Sequence, residues 1–138
     1  MSGMGLILDT SLLVAHERRK FDLPAFLLIH GDEPVAIATI TYSELLHGWH
    51  RATNPRIKAE RGLYVAGVRR DYTIIPFAEG QAEHHARVWA ELTARGVLIG
   101  AHDLQIGATA LSLGYAVATL NEKEFARVPG LQLVRVER

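Results

Sequence analysis

The spacing of apolar positions changes along the chain, and each change marks an element. Leu6, Ile7 and Leu8 form an unbroken apolar run that stops at Asp9, the pattern of a strand covered on both faces. Helical patterning begins at Ser11 with Leu12, Leu13, Val14 and Ala15 and runs to Lys20, which puts Arg18, Arg19 and Lys20 in a last turn that favours cations. Leu23 to His30 is a short apolar segment with Pro24 suited to a first helical turn, and Gly31 to Pro34 end it. Val35 to Ile40 is rich in β-branched residues and reads as a second buried strand. Thr41 opens a helix in which Tyr42, Leu45, Leu46 and Trp49 share one face and Glu44 lies off it.

Asn54 and Pro55 break that helix, and Ile57, Arg61, Tyr64, Val65 and Val68 predict another from Arg56 to Arg70. Tyr72 to Phe77 is a third strand, with Pro76 arguing for its end or a sheet edge. Ala82, His85, Ala86, Trp89 and Leu92 give Glu79 to Arg95 an apolar stripe at helical spacing, closed by Gly96. Asp103 begins a nearly all-apolar helix that Gly114 ends after Leu113. Tyr115 to Thr119 and Leu131 to Val136 are the fourth and fifth strands, with a short helix between them. Strands alternating with helices imply a mostly parallel, about five-stranded sheet covered on both faces. No repeat or interdomain linker interrupts it, so one domain spanning 1–138 is expected.

Composition narrows the chemistry. There are 15 Lys plus Arg against 15 Asp plus Glu, so no global positive field advertises nucleic acid, although a local patch can serve. The absence of cysteine removes disulfides, thiolate nucleophiles and Cys-based zinc or iron–sulfur sites. No signal peptide or membrane-length apolar window is found, and a cytoplasmic location is the simplest expectation.

Three acids then share a context. Asp9 follows the first strand, Glu44 enters the helix after the second, and Asp103 opens the helix before the fourth. In a parallel sheet these helix starts lie at one end, where ligands collect. Each acid also has a structural explanation. Asp9, Thr10 or Ser11 would cap a helix, Thr41 to Glu44 matches a capping box, and Asp103 would complement a helix dipole; Asn121 to Glu124 offers a further cap. Gathered in a partly desolvated pocket, carboxylates repel one another and call for a cation. Oxygen ligands without thiolates select hard ions, Mg²⁺ or Mn²⁺ ahead of Zn²⁺. On this reading Asp9→Asn should fold at least as well as wild type when no metal is present.

Taken together, Leu8-Asp9-Thr10-Ser11, Thr41-x-x-Glu44-Leu45, His102-Asp103 followed by Ile106 and Ala108, and Thr119-x-Asn121-x-x-x-Phe125 resemble the PIN domain, specifically the VapC-type toxins of bacterial toxin–antitoxin pairs. The resemblance implies a three-layer α/β/α sandwich, often a homodimer, that cleaves RNA with Mg²⁺ or Mn²⁺ and is silenced by a cognate antitoxin. It carries the core acidic ligands to Asp9, Glu44 and Asp103 and an accessory role to Thr10, Ser11 and Thr119. Asn121 stands where the family often has an acid, and Glu124 three residues on is the alternative source of charge. The implied reaction is attack of metal-activated water on a phosphodiester.

Other constellations are weaker. Glu44-x-x-His47 has the spacing of a di-iron element but lacks the second copy such a site needs, and His47 and His50 are expected at the surface or beside Trp49. His85 falls on the apolar stripe of its helix, and His102 is placed to touch RNA or an acid. A phosphatase of the haloacid dehalogenase kind would want a second Asp where Ser11 stands, and no Gly-rich phosphate loop occurs. Among the clustered cations, Arg51 and Arg56 follow the Glu44 helix and are the candidates for an RNA backbone. The competing class is a catalytically inactive module that keeps the fold and binds an antitoxin or RNA.

Overall fold

The computed structural model describes residues 5–137. Strand β1 is Leu6–Leu8, and helices α1 (Thr10–Glu17) and α2 (Leu23–Ile29) lead to β2 (Val35–Ala38). Helices α3 (Thr39–Arg51) and α4 (Pro55–Asp71) lead to β3 (Thr73–Ile75). Helices α5 (Glu79–Ala94) and α6 (Ala101–Leu113) precede β4 (Ala116–Ala118), and α7 (Glu122–Phe125) precedes β5 (Leu133–Val134). All four strand pairings are parallel, in the order β3-β2-β1-β4-β5.

The side chains of β1 explain the three layers. Leu6 and Leu8 join Leu12, Leu13, Phe26, Leu45 and Val65 on one face of the sheet. Ile7 points to the other, where it meets Ile106, Ala110 and Phe125. A strand walled by helices on both faces has no position for a polar side chain, which is why its sequence does not alternate. A third cluster, Val88, Leu92, Leu104 and Val128, holds α5 against α6. Gly5, at φ 90, makes room for the ring of Tyr115, which a Cβ there would approach to 2.6 Å.

Several expected boundaries move. Helix α1 stops at Glu17, so Arg18, Arg19 and Lys20 lie beyond it rather than in its last turn. Lys20 N–H donates to Ala15 O, and Arg19 takes the left-handed conformation at φ 60 that a glycine would ordinarily fill. Helix α3 begins at Thr39 with Ala38 as its N-cap, two residues earlier than the pattern indicates. Thr41 is therefore inside the helix and forms no capping box with Glu44. Of the stripe on α5 only Leu92 is buried, with Val88 from outside it as the helix's other core residue, while Ala82 and Ala86 are exposed and Trp89 is 58% exposed.

Candidate active site

The strand order reverses direction between β1 and β4, and a crevice opens outside the carboxyl ends of the strands at such a point. Asp9 and Thr119 stand on its two sides, each one residue past its strand. Asp9 N–H donates to Ala118 O at 3.0 Å and extends the ladder by one rung. The Asp9 side chain is buried, and its Oδ2 accepts hydrogen bonds from Ser11 Oγ at 2.6 Å and Thr119 Oγ1 at 2.7 Å. Ser11 Oγ in turn accepts from Leu120 N–H at 3.1 Å, and Thr119 Oγ1 from Asn121 N–H at 2.8 Å. Asp9 occupies the N-cap position of α1 but its side chain makes no capping hydrogen bond.

Glu44 arrives from the second turn of α3. Its Oε1 accepts from Thr10 Oγ1 at 2.6 Å, and its Oε2 lies 3.1 Å from His102 Nδ1. Asp103 enters from the first turn of α6, half-buried and without a side-chain hydrogen bond among the described residues. Burial, reinforced by Asp9, Glu124 and Glu44 and opposed by His102, pushes its carboxyl up to about 6. Glu124 accepts from Gly100 N–H at 2.7 Å and pairs with Arg127 at 3.5 Å. A Cβ on Gly100 would lie 3.4 Å from Asp103 Oδ2 and 3.7 Å from Glu124 Oε1, so these two acids converge on that glycine. Asn121 takes the N-cap position of α7, is exposed, and makes no side-chain cap bond.

Asp9, Glu44, Asp103 and Glu124 bring carboxylate oxygens to this crevice and Thr10, Ser11 and Thr119 hydroxyls, and burial first, then the neighbouring acids, raises the Asp103 carboxyl. That donor chemistry fits a hard divalent cation. No three of the described His, Asp and Glu side chains stand close enough to enclose an ion as they are oriented. Glu44 is held by Thr10 and His102, and Glu124 by Gly100 and Arg127.

A groove of about 520 Å³ leads away from Glu44 and includes Thr10, Arg18, His47, Arg51 and His102 in its walls. Arg56 is not part of it; its guanidinium pairs with Glu60 at 2.9 Å on an exposed face. His50 is exposed beside Trp49, and His85 lies between the rings of Phe77 and Trp89. A larger cleft of about 820 Å³ beside α2 contains none of Asp9, Glu44, Asp103 and Glu124.

With this geometry the PIN domain family model matches residues 6–131. The chain belongs to the PIN domain family. Ribonuclease VapC1 of Rickettsia felis is 35% identical over 96% of this chain and 97% of its own length. The tRNA(fMet)-specific endonuclease VapC of Salmonella typhimurium is 30% identical over 86% of this chain and 82% of its own. Among solved structures, VapBC2 of Rickettsia felis bound to a DNA fragment from its promoter has a TM-score of 0.86 at 25% identity, covering 96% of this chain and 98% of that one. DNA-bound VapBC of Salmonella typhimurium has a TM-score of 0.85 at 24% identity, covering 97% and 98%. The five-stranded parallel sheet and three layers are those of a PIN domain fold. The hydroxyls on Asp9 complete the picture. Ser11 and Thr119 are legible in sequence only as motif positions, because their pairing spans the chain.

Proposed function

We propose that this PIN domain is a Mg²⁺-dependent endoribonuclease, with Mn²⁺ as the alternative ion, and the toxin of a toxin–antitoxin pair acting in the cytoplasm. The observation that supports this reading is Asp103 beside the switch point of the sheet, its carboxyl raised by burial and then by Asp9, Glu124 and Glu44, with no side-chain hydrogen bond among the described residues. The ribonuclease names of its relatives and the toxin–antitoxin complexes among its structural neighbours support the same conclusion. We further propose that Glu124, rather than the exposed Asn121, is the accessory acid, because its charge acts on Asp103.

Each residue has a part. Ser11 and Thr119 fix Asp9 through Oδ2, and Oδ1 makes no hydrogen bond among the described residues. Thr10 and His102 hold Glu44 across the mouth of the crevice. Asp103, which makes no side-chain hydrogen bond among the described residues, is the carboxylate most ready to accept positive charge. Arg51 and Arg18 give the groove a cationic wall for the phosphates of a single strand. Asp9, Glu44 and Asp103 would hold a divalent ion, whose chemistry there would be to supply positive charge for the phosphoryl oxygens and to lower the pKa of water.

The test is cleavage of a mixed tRNA and ribosomal RNA pool by the full chain with Mg²⁺, beside EDTA, Asp9→Asn and Asp103→Asn. Wild type should cut, and either substitution should reduce the rate by roughly 100-fold or more, the scale for removing a group that stabilises transition-state charge. Undiminished cutting by Asp103→Asn overturns the assignment of the centre. RNA or antitoxin binding with no cutting under any condition replaces the nuclease with the inactive module.

We also propose a homodimer formed through the outer face of α5. The stripe Ala82, Ala86 and Trp89 has helical spacing yet is exposed, and Leu98 beside it is 83% exposed. Light scattering should give a dimer for wild type and a monomer for Trp89→Glu. A monomeric wild type at micromolar concentration overturns this.

A further inference from the structure

We infer that His102 is a positioning residue that sets Glu44 for the divalent cation, acting through a hydrogen bond from Nδ1–H to Glu44 Oε2. The inference rests on the reading of the acids as a cation site. A glutamate has three free torsions, and immobilising it costs rotamer entropy at the upper end of the side-chain scale, so a ligand of this kind is weak unless something holds it beforehand. Here both oxygens are held. Thr10, from the helix that follows Asp9, takes Oε1 at 2.6 Å, and His102, from the helix that carries Asp103, meets Oε2 at 3.1 Å. Glu44 is thereby fastened to both of the elements that supply the other two acids. Each of its oxygens keeps a second lone pair for a cation.

Thr10 and His102 differ in setting. Thr10 lies at the start of α1 with its Oγ1 3.0 Å from Thr41 Oγ1, so its removal disturbs packing between α1 and α3 as well. The His102 side chain is 54% exposed, and its one described polar contact is Glu44. It is also the residue immediately before Asp103, so the peptide that aims Asp103 into the crevice aims this ring at Glu44. Loss of an outer hydrogen-bond partner of a metal ligand costs 10–100-fold in metal affinity, which is the scale expected here. The role needs only the neutral ring with its proton on Nδ1. Nitrogen-15 correlation spectra of the metal-free chain at pH 8 should therefore show that tautomer for His102.

The experiment compares wild type, His102→Ala, His102→Asn and Asp103→Asn as full chains without RNA, titrated with Mn²⁺ by calorimetry. Asn places its Nδ2 where the imidazole has Nδ1, so it can restore the hydrogen bond without the ring. His102→Ala should weaken Mn²⁺ binding by at least about 10-fold, while its melting temperature in EDTA stays close to wild type. His102→Asn should recover most of the lost affinity. Wild-type Mn²⁺ affinity in His102→Ala, or no recovery in His102→Asn, overturns the role of His102 while leaving the acidic centre standing, provided Asp103→Asn abolishes binding. If wild type shows no saturable Mn²⁺ binding, the acidic centre itself is refuted and the role of His102 with it. An Nε2–H tautomer at pH 8 overturns the hydrogen bond directly.

Discussion

Replacing Asp103 by Asn should make the metal-free protein more stable while destroying its centre. The carboxyl sits at about 6 instead of its ordinary 3.8, because burial and the charges of Asp9, Glu124 and Glu44 disfavour ionisation. At about 1.4 kcal/mol per pKa unit the full displacement is worth about 3 kcal/mol. The group is only half-buried, and solvent screening reduces this to about 1–1.5 kcal/mol. The sign follows from proton binding. Between the unfolded and folded values the native state holds the proton more tightly, so wild type loses stability as pH rises through that window and Asn does not. Thermal melts in EDTA at pH 7.5 should place Asp103→Asn about 3–5 °C above wild type. At pH 4.5 the gap should shrink to about a third. Adding Mn²⁺ to 100 times its Kd should then lift wild type alone, by about 2.7 kcal/mol, and invert the order. A mutant no more stable than wild type at pH 7.5, or a gap that widens toward pH 4.5, would refute the account of Asp103 as a carboxyl strained by charge.

Arg51→Ala should flatten the salt dependence of single-stranded RNA binding by about 0.7 in logarithmic slope, one phosphate contact, whereas Arg56→Ala, outside the groove and paired with Glu60, should change it by much less. Fluorescence anisotropy on the Asp103→Asn background measures both, and equal slopes would remove the groove from the RNA path. Arg19→Gly should gain about 0.5–1 kcal/mol by relieving a left-handed residue with a Cβ, and a lower melting temperature would show that Arg19 is not strained. Phe125, fully buried between α7 and the sheet, should cost about 3–5 kcal/mol in urea denaturation when cut to Ala; a loss under about 1 kcal/mol would mean that α7 is not anchored there.

Much of the fold was legible because it follows from local pattern. The uniform apolar run Leu6 to Leu8 declares a strand buried on both faces, and Pro76 declares the end of an edge strand, as found for β3. Helix starts were harder. The capping box read at Thr41 and Glu44 is a valid local signature, but Glu44 has a stronger partner in Thr10, 34 residues away, and the helix begins earlier at Thr39. The α5 stripe shows the complementary failure. Periodicity reports that a face is apolar, not whether this chain or another covers it, and Trp89 is left bare. Asp9, Glu44 and Asp103 could be picked out by their places after strands and before helices. Their hydroxyl and imidazole partners could not, since the Asp9–Thr119 contact joins residues 110 apart and His102–Glu44 joins residues 58 apart.

The pairing of β1 with β4 has a consequence during translation. Leu6, Ile7 and Leu8 take Ala116, Val117 and Ala118 as neighbours, so the middle of the sheet joins the first strand made to one made near the end. A nascent chain halted before Ala116 has an open edge on β1, no Thr119 for Asp9, and no floor beneath the crevice. Contacts of such long sequence separation form late. A chain assembled in this order completes its crevice only once almost the whole polypeptide is available to fold.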